Sequence, residues 1–365
     1  MVRRTLVLLL LLLGSSLASA DERELRAHFI ALNTHGESIL IQTPGGKNVL
    51  IDAGLPHAAP TVIDYLRAQG VDSIDLLVLT HDDPDHVGGM YAVARAFPIE
   101  RYWESPLRAS SALHDLLLGQ LKRDEVSRVA VMRGSRLEIE EGVSLDVLAP
   151  WRPWIKTPLR RPRADNPNSV VIRLTCGATR LLLTGDMTAA TEERFLEAGV
   201  DSACHLLKVG HHGSTTSSTP RFLASTGAEV AVICCEPNSP LGLPRVRVLE
   251  NLERAGMTWY RTDANGTVVV RTRGAGDLTV SVARGGANAP EQNQIDVLGM
   301  VMKYSTLSAE QVPPDRFVGM TGRKLYHRAY CFAGRLIQRE QAVAYASTAA
   351  AEADGRAPCS ACRPK

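Results

Sequence analysis

Two features are scarce in this sequence, and each scarcity excludes a class of protein. Net charge is small, with 41 Lys and Arg against 39 Asp and Glu, so a strongly basic protein with a global attraction to nucleic acid is excluded. Long apolar runs are missing after residue 20, so we expect no stable membrane insertion. The length allows one large domain and a small one.

Residues 1–20 have the pattern of a secretory signal peptide. Arg3 and Arg4 precede a short apolar core, and Ala18-Ser19-Ala20 matches a cleavage site. Cleavage would remove two of the 41 basic residues and leave 39 of each sign. No cysteine follows the cleavage site, so a lipoprotein anchor is not expected. We therefore expect an exported protein, in the periplasm or outside a bacterial cell.

The densest chemical feature is the run from Thr80 to Gly89. Two imidazoles and three carboxylates lie between His81 and His86, directly after a strand-like apolar run. Like charges this close repel one another, and a bound cation would offset the repulsion. Imidazole and carboxylate are ligands of zinc, manganese and iron. The alternative is an acidic, solvated loop.

Two later strand-like runs also end in possible metal ligands. Asp186 follows the first run, and His211 and His212 follow the second. Ligands bind at the carboxyl ends of strands in layered α/β folds. We therefore expect all three strand ends to meet at a site for two metal ions.

The wider pattern alternates short apolar runs with amphipathic segments of helical length. Expected strands include 28–32, 48–51 and 76–80, and Pro44-Gly45-Gly46 is expected to form a hairpin turn. Such alternation favours a layered α/β sandwich over 21–286. The remainder is expected to be a linker, 287–315, and a small module, 316–365.

In this order, the motifs resemble the metallo-β-lactamase superfamily, and specifically the hydrolase domain of ComEC-like DNA-uptake proteins. The resemblance covers residues 26–282. The residues that carry it are the segments 50–54, which includes Asp52, 80–89, 166–169, 183–186, 208–214 and 260–263, together with Gly266. It implies a four-layered αββα sandwich. Two departures are His35-Gly36-Glu37, where the family usually has Gln-Gly-Asp, and Leu243, where it usually has His.

The resemblance also implies a set of ligands for two divalent ions, Zn or Mn. His81 and Asp83 would hold one ion, and Asp186 would bridge to the other. The second ion would be held by Asp85, His86 and His211. Whether His211 or His212 is the ligand stays open, and the other imidazole would face the substrate.

Further residues receive roles around this pair of ions. Asp85 and His212 are expected in the catalytic group. Asn168 would bind metal weakly or contact only the substrate, and Asp52 would orient a ligand or, alternatively, cap a turn. The expected substrate contacts are Ser214, Lys208, Arg160 and Arg161.

The function implied is an exported phosphodiesterase or nuclease that uses a metal-activated hydroxide on single-stranded DNA or a related phosphate ester. Asp83 stands where β-lactamases have a second His, and this harder ligand suits phosphate esters. One alternative is a hydrolase of carbonyl substrates, a lactone or a β-lactam. Another is a DNA-binding accessory protein with weakened catalysis, because Leu243 removes a polar contact.

Residues 151–163 combine five cationic side chains with Trp151 and Trp154. This composition suits phosphate contacts and base stacking on a single strand. The alternative is a solvated loop whose tryptophans pack on the body of the domain.

The cysteines fall into two sets. Cys176, Cys204, Cys234 and Cys235 lie in or beside apolar runs, so we expect buried thiols. The C-terminal set offers four zinc ligands, the number that a closed tetrahedral site uses: His327, Cys331, Cys359 and Cys362. This module is similar to the Ada-type zinc module. A disulfide from Cys331 to Cys359 or Cys362 is the alternative.

Overall fold

The computed structural model describes residues 24–107, 111–156, 166–288, 317–320, 325–328, 342–345 and 348–358. The described residues form two compact units. The first comprises those up to Pro237 and those from Leu243 to 288, and the second comprises Asn238–Gly242 and those from 317 onward. The expected signal peptide, Arg160 and Arg161 lie outside the described residues.

The first sheet of the larger unit has eight strands. They are β1 (Leu25–Phe29), β2 (Ile39–Gln42), β3 (Asn48–Ile51), β4 (Leu76–Leu79), β5 (Arg101–Glu104), β6 (Ser127–Ala130), β14 (Val268–Thr272) and β15 (Thr279–Val282). Their order is β15-β14-β1-β2-β3-β4-β5-β6, and β3 to β6 run parallel. The loops that follow β3 and β4 therefore leave the sheet at one edge.

The second sheet has seven strands. They are β7 (Arg136–Glu140), β8 (Val143–Ala149), β9 (Val171–Cys176), β10 (Thr179–Leu183), β11 (Leu206–Lys208), β12 (Val230–Ile233) and β13 (Thr258–Arg261). Their order is β13-β12-β11-β10-β9-β8-β7, and β10 to β13 run parallel.

Helices flank these sheets. Those of the larger unit are α1 (Ala59–Ala68), α2 (Pro84–Val87), α3 (Met90–Ala96), α4 (Ala112–Arg123), α5 (Ala189–Glu197), α6 (Pro220–Thr226), α7 (Val246–Arg254) and α8 (Thr262–Asn265). Among the described residues, no helix is both long and apolar enough to cross a bilayer.

Alternating side chains along the strands build three apolar layers. Ile39 and Ile41 point into the core between the two sheets, whereas Leu40, between them, packs toward α1 and α3 on the outer face. The outer face of the second sheet packs toward α5, α6 and α7 in the same way. This arrangement confirms the predicted αββα sandwich. Cys176, Cys204, Cys234 and Cys235 are buried free thiols, as predicted.

The smaller unit contains a four-stranded sheet with the order β18-β16-β17-β19. Its strands are β16 (Phe317–Met320), β17 (Leu325–Arg328), β18 (Ala342–Tyr345) and β19 (Ala357–Pro358), and a short helix spans Thr348–Ala353. Cys331, Cys359, Cys362 and the side chain of His327 lie outside the described residues, so the zinc site there stays a prediction.

The layered core predicts a clear contrast between two leucines. Leu181 is fully buried between the sheets, so Leu181→Ala should lower the free energy of unfolding in urea by about 2–5 kcal/mol. Leu116 on α4 is 53% exposed, and Leu116→Ala should change it by no more than about 0.5 kcal/mol. Equal effects of the two substitutions would contradict this assignment of the core.

Candidate metal centre

The strand ends that carry possible ligands converge at one edge of the sandwich. Parallel pairing aligns Ile51 with Val78 in the first sheet and Leu183 with Lys208 in the second. The loops after these strands therefore lie side by side. They bring together Asp52, the segment from Thr80 to His86, Asp186, and the His211–His212 pair.

Four side chains form a first ligand group: Asp85, His86, Asp186 and His212. Their nearest donor atoms all lie within 4.8 Å of one another. Nε2 of His212 is 3.2 Å from Oδ2 of Asp85 and 3.5 Å from Oδ1 of Asp186. A tetrahedral ion with nitrogen and oxygen ligands near 2.1 Å spaces those ligands about 3.4 Å apart. The group is thus compatible with one divalent ion.

The hydrogen bonds of the imidazoles support the same conclusion. Nδ1 of His86 contacts Oδ2 of Asp52 at 2.6 Å, and Nδ1 of His212 contacts the Cys234 carbonyl oxygen at 2.9 Å. In contrast, Nε2 of both rings is buried without a hydrogen-bond partner, as is Oδ1 of Asp186. Buried polar atoms without partners are costly. A cation coordinated by them would remove that cost.

A second ligand group lies on the other oxygen of Asp186 and comprises His81, Asp83, Asp186 and His211. Nε2 of His81 is 3.6 Å from Oδ2 of Asp83 and 3.8 Å from Oδ2 of Asp186. Nε2 of His211 is 3.7 Å from the same Asp186 oxygen. Asp83 and His211 are 23% and 29% exposed, so this group faces solvent. His86 and His212 in the first group are fully buried.

The position of the two adjacent imidazoles differs from the expectation carried over from the family. His212, rather than His211, lies with Asp85 and His86, while His211 lies beside the second group. Both residues adopt left-handed backbone conformations, with φ of 48° and 52°. This tight turn directs the two rings to different sides of Asp186. Which imidazole binds metal stays a prediction, and the distances favour His212 for the first group.

The electrostatics of the site favour an ionised Asp186 carboxylate. Burial alone would raise the pKa of Asp186, but the neighbouring His212 and His86 outweigh burial and hold it well below its usual value. Burial lowers the pKa of His86, yet Asp186 and Asp52 raise it well above the usual value. The His86 imidazole must release a proton to bind a cation through Nε2, so metal affinity should rise with pH.

Asp52 contacts the His86 ring and the turn that follows β4. Its Oδ1 accepts a hydrogen bond from the Thr80 backbone N–H at 2.9 Å, and its Oδ2 accepts one from the Thr80 hydroxyl at 2.6 Å. Oδ2 also contacts Nδ1 of His86. The carboxylate thus contacts both the turn after β4 and the His86 ring, and its role in orienting a metal ligand stays a prediction.

Asn168 does not face the site as expected. Its side-chain oxygen accepts from the Ile155 backbone N–H at 3.0 Å, and its amide nitrogen donates to the Ile155 carbonyl at 2.9 Å. Both polar atoms are thus engaged in holding the chain at residue 155. The asparagine that reaches the ligands is Asn166, which donates to Oδ2 of Asp186 at 3.1 Å.

The position of Lys208 also differs from the one expected for a substrate-binding residue. Its side chain is fully buried, contacts the Glu37 carboxylate and donates to the Gly185 carbonyl oxygen at 2.8 Å. A group with these contacts cannot reach an incoming substrate. Ser214 is half-buried at the end of the His211–His212 turn, and its substrate role stays a prediction.

Two further residues near the first ligand group, His35 and Glu236, were not predicted as site residues from the sequence. Nε2 of His35 is 3.1 Å from Oδ2 of Asp85, and Nδ1 is 3.6 Å from Oε1 of Glu236. The His35 ring also packs against His212, with centroids 4.6 Å apart. The departure from the family's usual Gln at position 35 was the available signal. Leu243, the other departure, is buried.

The described part of the cationic segment is anchored to the domain. The Arg194 guanidinium lies 4.2 Å from the centre of the Trp151 ring and donates to the carbonyl oxygens of Trp151, Arg152 and Pro153. Trp151 also packs against Phe195. Trp151 therefore packs on the body of the domain, as the alternative interpretation of this segment expected, and its ring is not free to stack on a base.

The contacts of Asp52 generate a test of ligand orientation. Asp52→Asn should weaken Mn²⁺ binding about 10–100-fold, because groups that orient a metal-binding His contribute this much to affinity. The affinity can be measured by electron paramagnetic resonance of free Mn²⁺. Asp64→Asn on α1, at a side chain that is 79% exposed, is the matched control and should leave binding unchanged. Wild-type affinity in Asp52→Asn would exclude the orienting role.

Comparison with known proteins finds curated relatives that are similar in sequence over about two thirds of this chain. The chain is 29% identical over 253 residues to ComE operon protein 3 of Bacillus subtilis, covering 65% of this chain and 32% of that protein. It is 30% identical over 256 residues to competence protein ComA of Neisseria gonorrhoeae, covering 70% and 32%. The chain thus spans about a third of the length of the curated relatives it matches.

A solved structure, the metallo-beta-lactamase fold protein YhfI of Bacillus subtilis, aligns with a TM-score of 0.45 at 15% identity, over 68% of this chain and all of that chain. The family model of the metallo-beta-lactamase superfamily matches residues 33–236. This match covers more than half of the chain and includes every ligand of the two groups. The chain therefore belongs to the metallo-beta-lactamase superfamily.

Proposed function

We propose that this protein is a metal-dependent phosphodiesterase or nuclease that acts on single-stranded DNA or a related phosphate ester. The observation that carries the proposal is the position of Asp186, whose two carboxylate oxygens face two separate ligand groups. A carboxylate placed between two ligand groups in this way would suit a two-metal hydrolytic site.

The residues present fit a pair of divalent ions, Zn or Mn. Bound there, such ions supply Lewis acidity toward a phosphoryl oxygen and lower the pKa of water. The chain's own part is to fix the ligands. Asp52 and the Cys234 carbonyl occupy Nδ1 of His86 and His212, so each ring presents Nε2 to the centre. The burial of both rings also excludes bulk water from the first group.

Substrate would approach from the side of the second group. Asp83 and His211 are each about a quarter exposed there, and His35 is 23% exposed beside Asp85. A carboxylate at position 83 makes this group harder than one built of imidazoles alone. That character supports a phosphate ester as substrate over a lactone or β-lactam.

The names of the relatives support DNA as the substrate class. Besides ComE operon protein 3 and competence protein ComA, recombination protein 2 of Haemophilus influenzae is similar to this chain, with 29% identity over 230 residues. Contacts to the DNA backbone from Arg160 and Arg161, a structural zinc ion in the C-terminal module, and export to the periplasm or exterior remain parts of the proposal that rest on sequence.

A second candidate is DNA binding without turnover. Leu243 favours it, because this buried apolar side chain stands where the family usually has His. Tight binding of single-stranded DNA under saturating Mn²⁺ with no cleavage would support this candidate. Rapid turnover would dismiss it.

The main proposal predicts the behaviour of Asp85→Ala. The purified wild-type protein should cleave bis(p-nitrophenyl) phosphate and single-stranded DNA with added Mn²⁺, and the variant should lose at least about 100-fold in rate, because a metal ligand is removed. Asp64→Ala serves as the surface control and should retain full activity. Nitrocefin and a lactone are assayed in parallel.

Two results would contradict this proposal. Undiminished cleavage by Asp85→Ala would show that the site described here is not the active site. Turnover of the lactone or nitrocefin without turnover of either phosphodiester would assign the protein to carbonyl chemistry.

A further inference from the structure

A buried ion pair between Glu37 and Lys208 lies behind the ligands. Lys208 is the last residue of β11 in the second sheet, and Glu37 precedes β2 in the first sheet. Both side chains are almost completely buried, at 0% and 1% exposure. The pair therefore joins the two sheets at the edge where the metal ligands converge.

Lys208 is tied to the loop that carries Asp186. Its ammonium donates to the carbonyl oxygen of Gly185, the residue directly before Asp186, at 2.8 Å. The Thr184 hydroxyl in turn donates to the Lys208 carbonyl oxygen at 2.7 Å. Three residues later the same chain reaches His211. One side chain thus connects the Asp186 loop with the turn of the two imidazoles.

Glu37 is tied to the loop that carries Asp85. Its backbone N–H donates to the Asp85 carbonyl oxygen at 3.1 Å, and its own carbonyl accepts from the Gly54 N–H at 2.9 Å. At Gly36 the backbone lies so close to the Asp85 loop that a Cβ on residue 36 would be 2.5 Å from the Asp85 carbonyl oxygen. Movement of Glu37 would therefore move Asp85.

We propose that the Glu37–Lys208 pair positions the ligands of the metal centre, by fixing the loops of Asp85 and Asp186 relative to each other. The pair is a positioning device and not a catalytic group, because the two buried side chains contact each other and the Gly185 carbonyl oxygen. The inference rests on the proposed metal site, but not on the identity of the substrate.

The physical cost of the pair favours such a role over simple stabilisation. Two charges buried together contribute little net stability, since desolvation offsets their attraction, and apolar residues of similar volume often do as well. Removing only one partner is strongly destabilising, because the other charge stays buried and uncompensated. A geometric role would explain why two charges occupy this interior position.

The test compares Lys208→Met, Glu37→Gln and the double variant Glu37→Gln/Lys208→Met. Each is assayed for thermal unfolding without metal and for Mn²⁺ affinity by electron paramagnetic resonance. Manganese is the suitable probe, because thiolate sites such as the one predicted near the C-terminus select softer ions. Lys47→Met is the control, since Lys47 pairs with Asp75 at 2.7 Å beside the opposite end of β3.

The single variants should melt at a lower temperature, and the double variant should recover much of that loss. Mn²⁺ affinity should nevertheless remain reduced about 10-fold or more in the double variant, because the loops are no longer tied. Lys47→Met should bind Mn²⁺ as the wild type does. Recovery of wild-type Mn²⁺ affinity together with stability in the double variant would overturn the positioning role.

Failure of this inference can be distinguished from failure of the proposed function. If the wild type cleaves no phosphodiester and the double variant still binds Mn²⁺ weakly, the substrate assignment is wrong and the positioning role stands. If the wild type cleaves DNA and all variants bind Mn²⁺ normally, the positioning role is wrong and the function stands.

Discussion

The convergence of Asp83, Asp85 and Asp186 at one edge of the sandwich is the constraint on which the site depends. Carboxylates this close repel one another, and the chain offsets the repulsion with surrounding imidazoles and with the buried ammonium of Lys208. Even so, Nε2 of His86, Nε2 of His212 and Oδ1 of Asp186 are buried without hydrogen-bond partners. Divalent cations bound between these atoms would neutralise the remaining negative charge and coordinate the unpaired atoms. The packed layers around the site hold the ligands in position for metal binding.

Much of the fold could be predicted from sequence, because apolar periodicity marks the strands that matter for the site. β3 and β4 lie within a residue of the expected bounds, and the turn at Pro44-Gly45-Gly46 joins β2 to β3. The strands that the pattern did not reveal include β6, which is exposed along its whole length at a sheet edge, and β7, which carries three charged residues. Such strands are defined by backbone pairing, which leaves little trace in hydrophobicity.

Only part of the candidate site could be predicted from the sequence. The spacing of His81, Asp85 and His86 after a strand predicted that these side chains lie close together, and the structure places them close together. The choice between His211 and His212 depends on two consecutive left-handed residues, and neither is glycine. The burial of Lys208 depends on Glu37, which lies 171 positions earlier, just before β2 of the other sheet. Asn168 was misassigned because its partner is a backbone segment, at Ile155, that carries no signal of its own.

Anomalous diffraction from crystals grown with Mn²⁺ would show directly whether two ions bind at Asp186. We expect two peaks, one on each side of Asp186, with the first between Asp85, His86 and His212 and the second beside His81 and Asp83. No peak within coordination distance of Asp186, or a single peak bound elsewhere, would contradict this expectation.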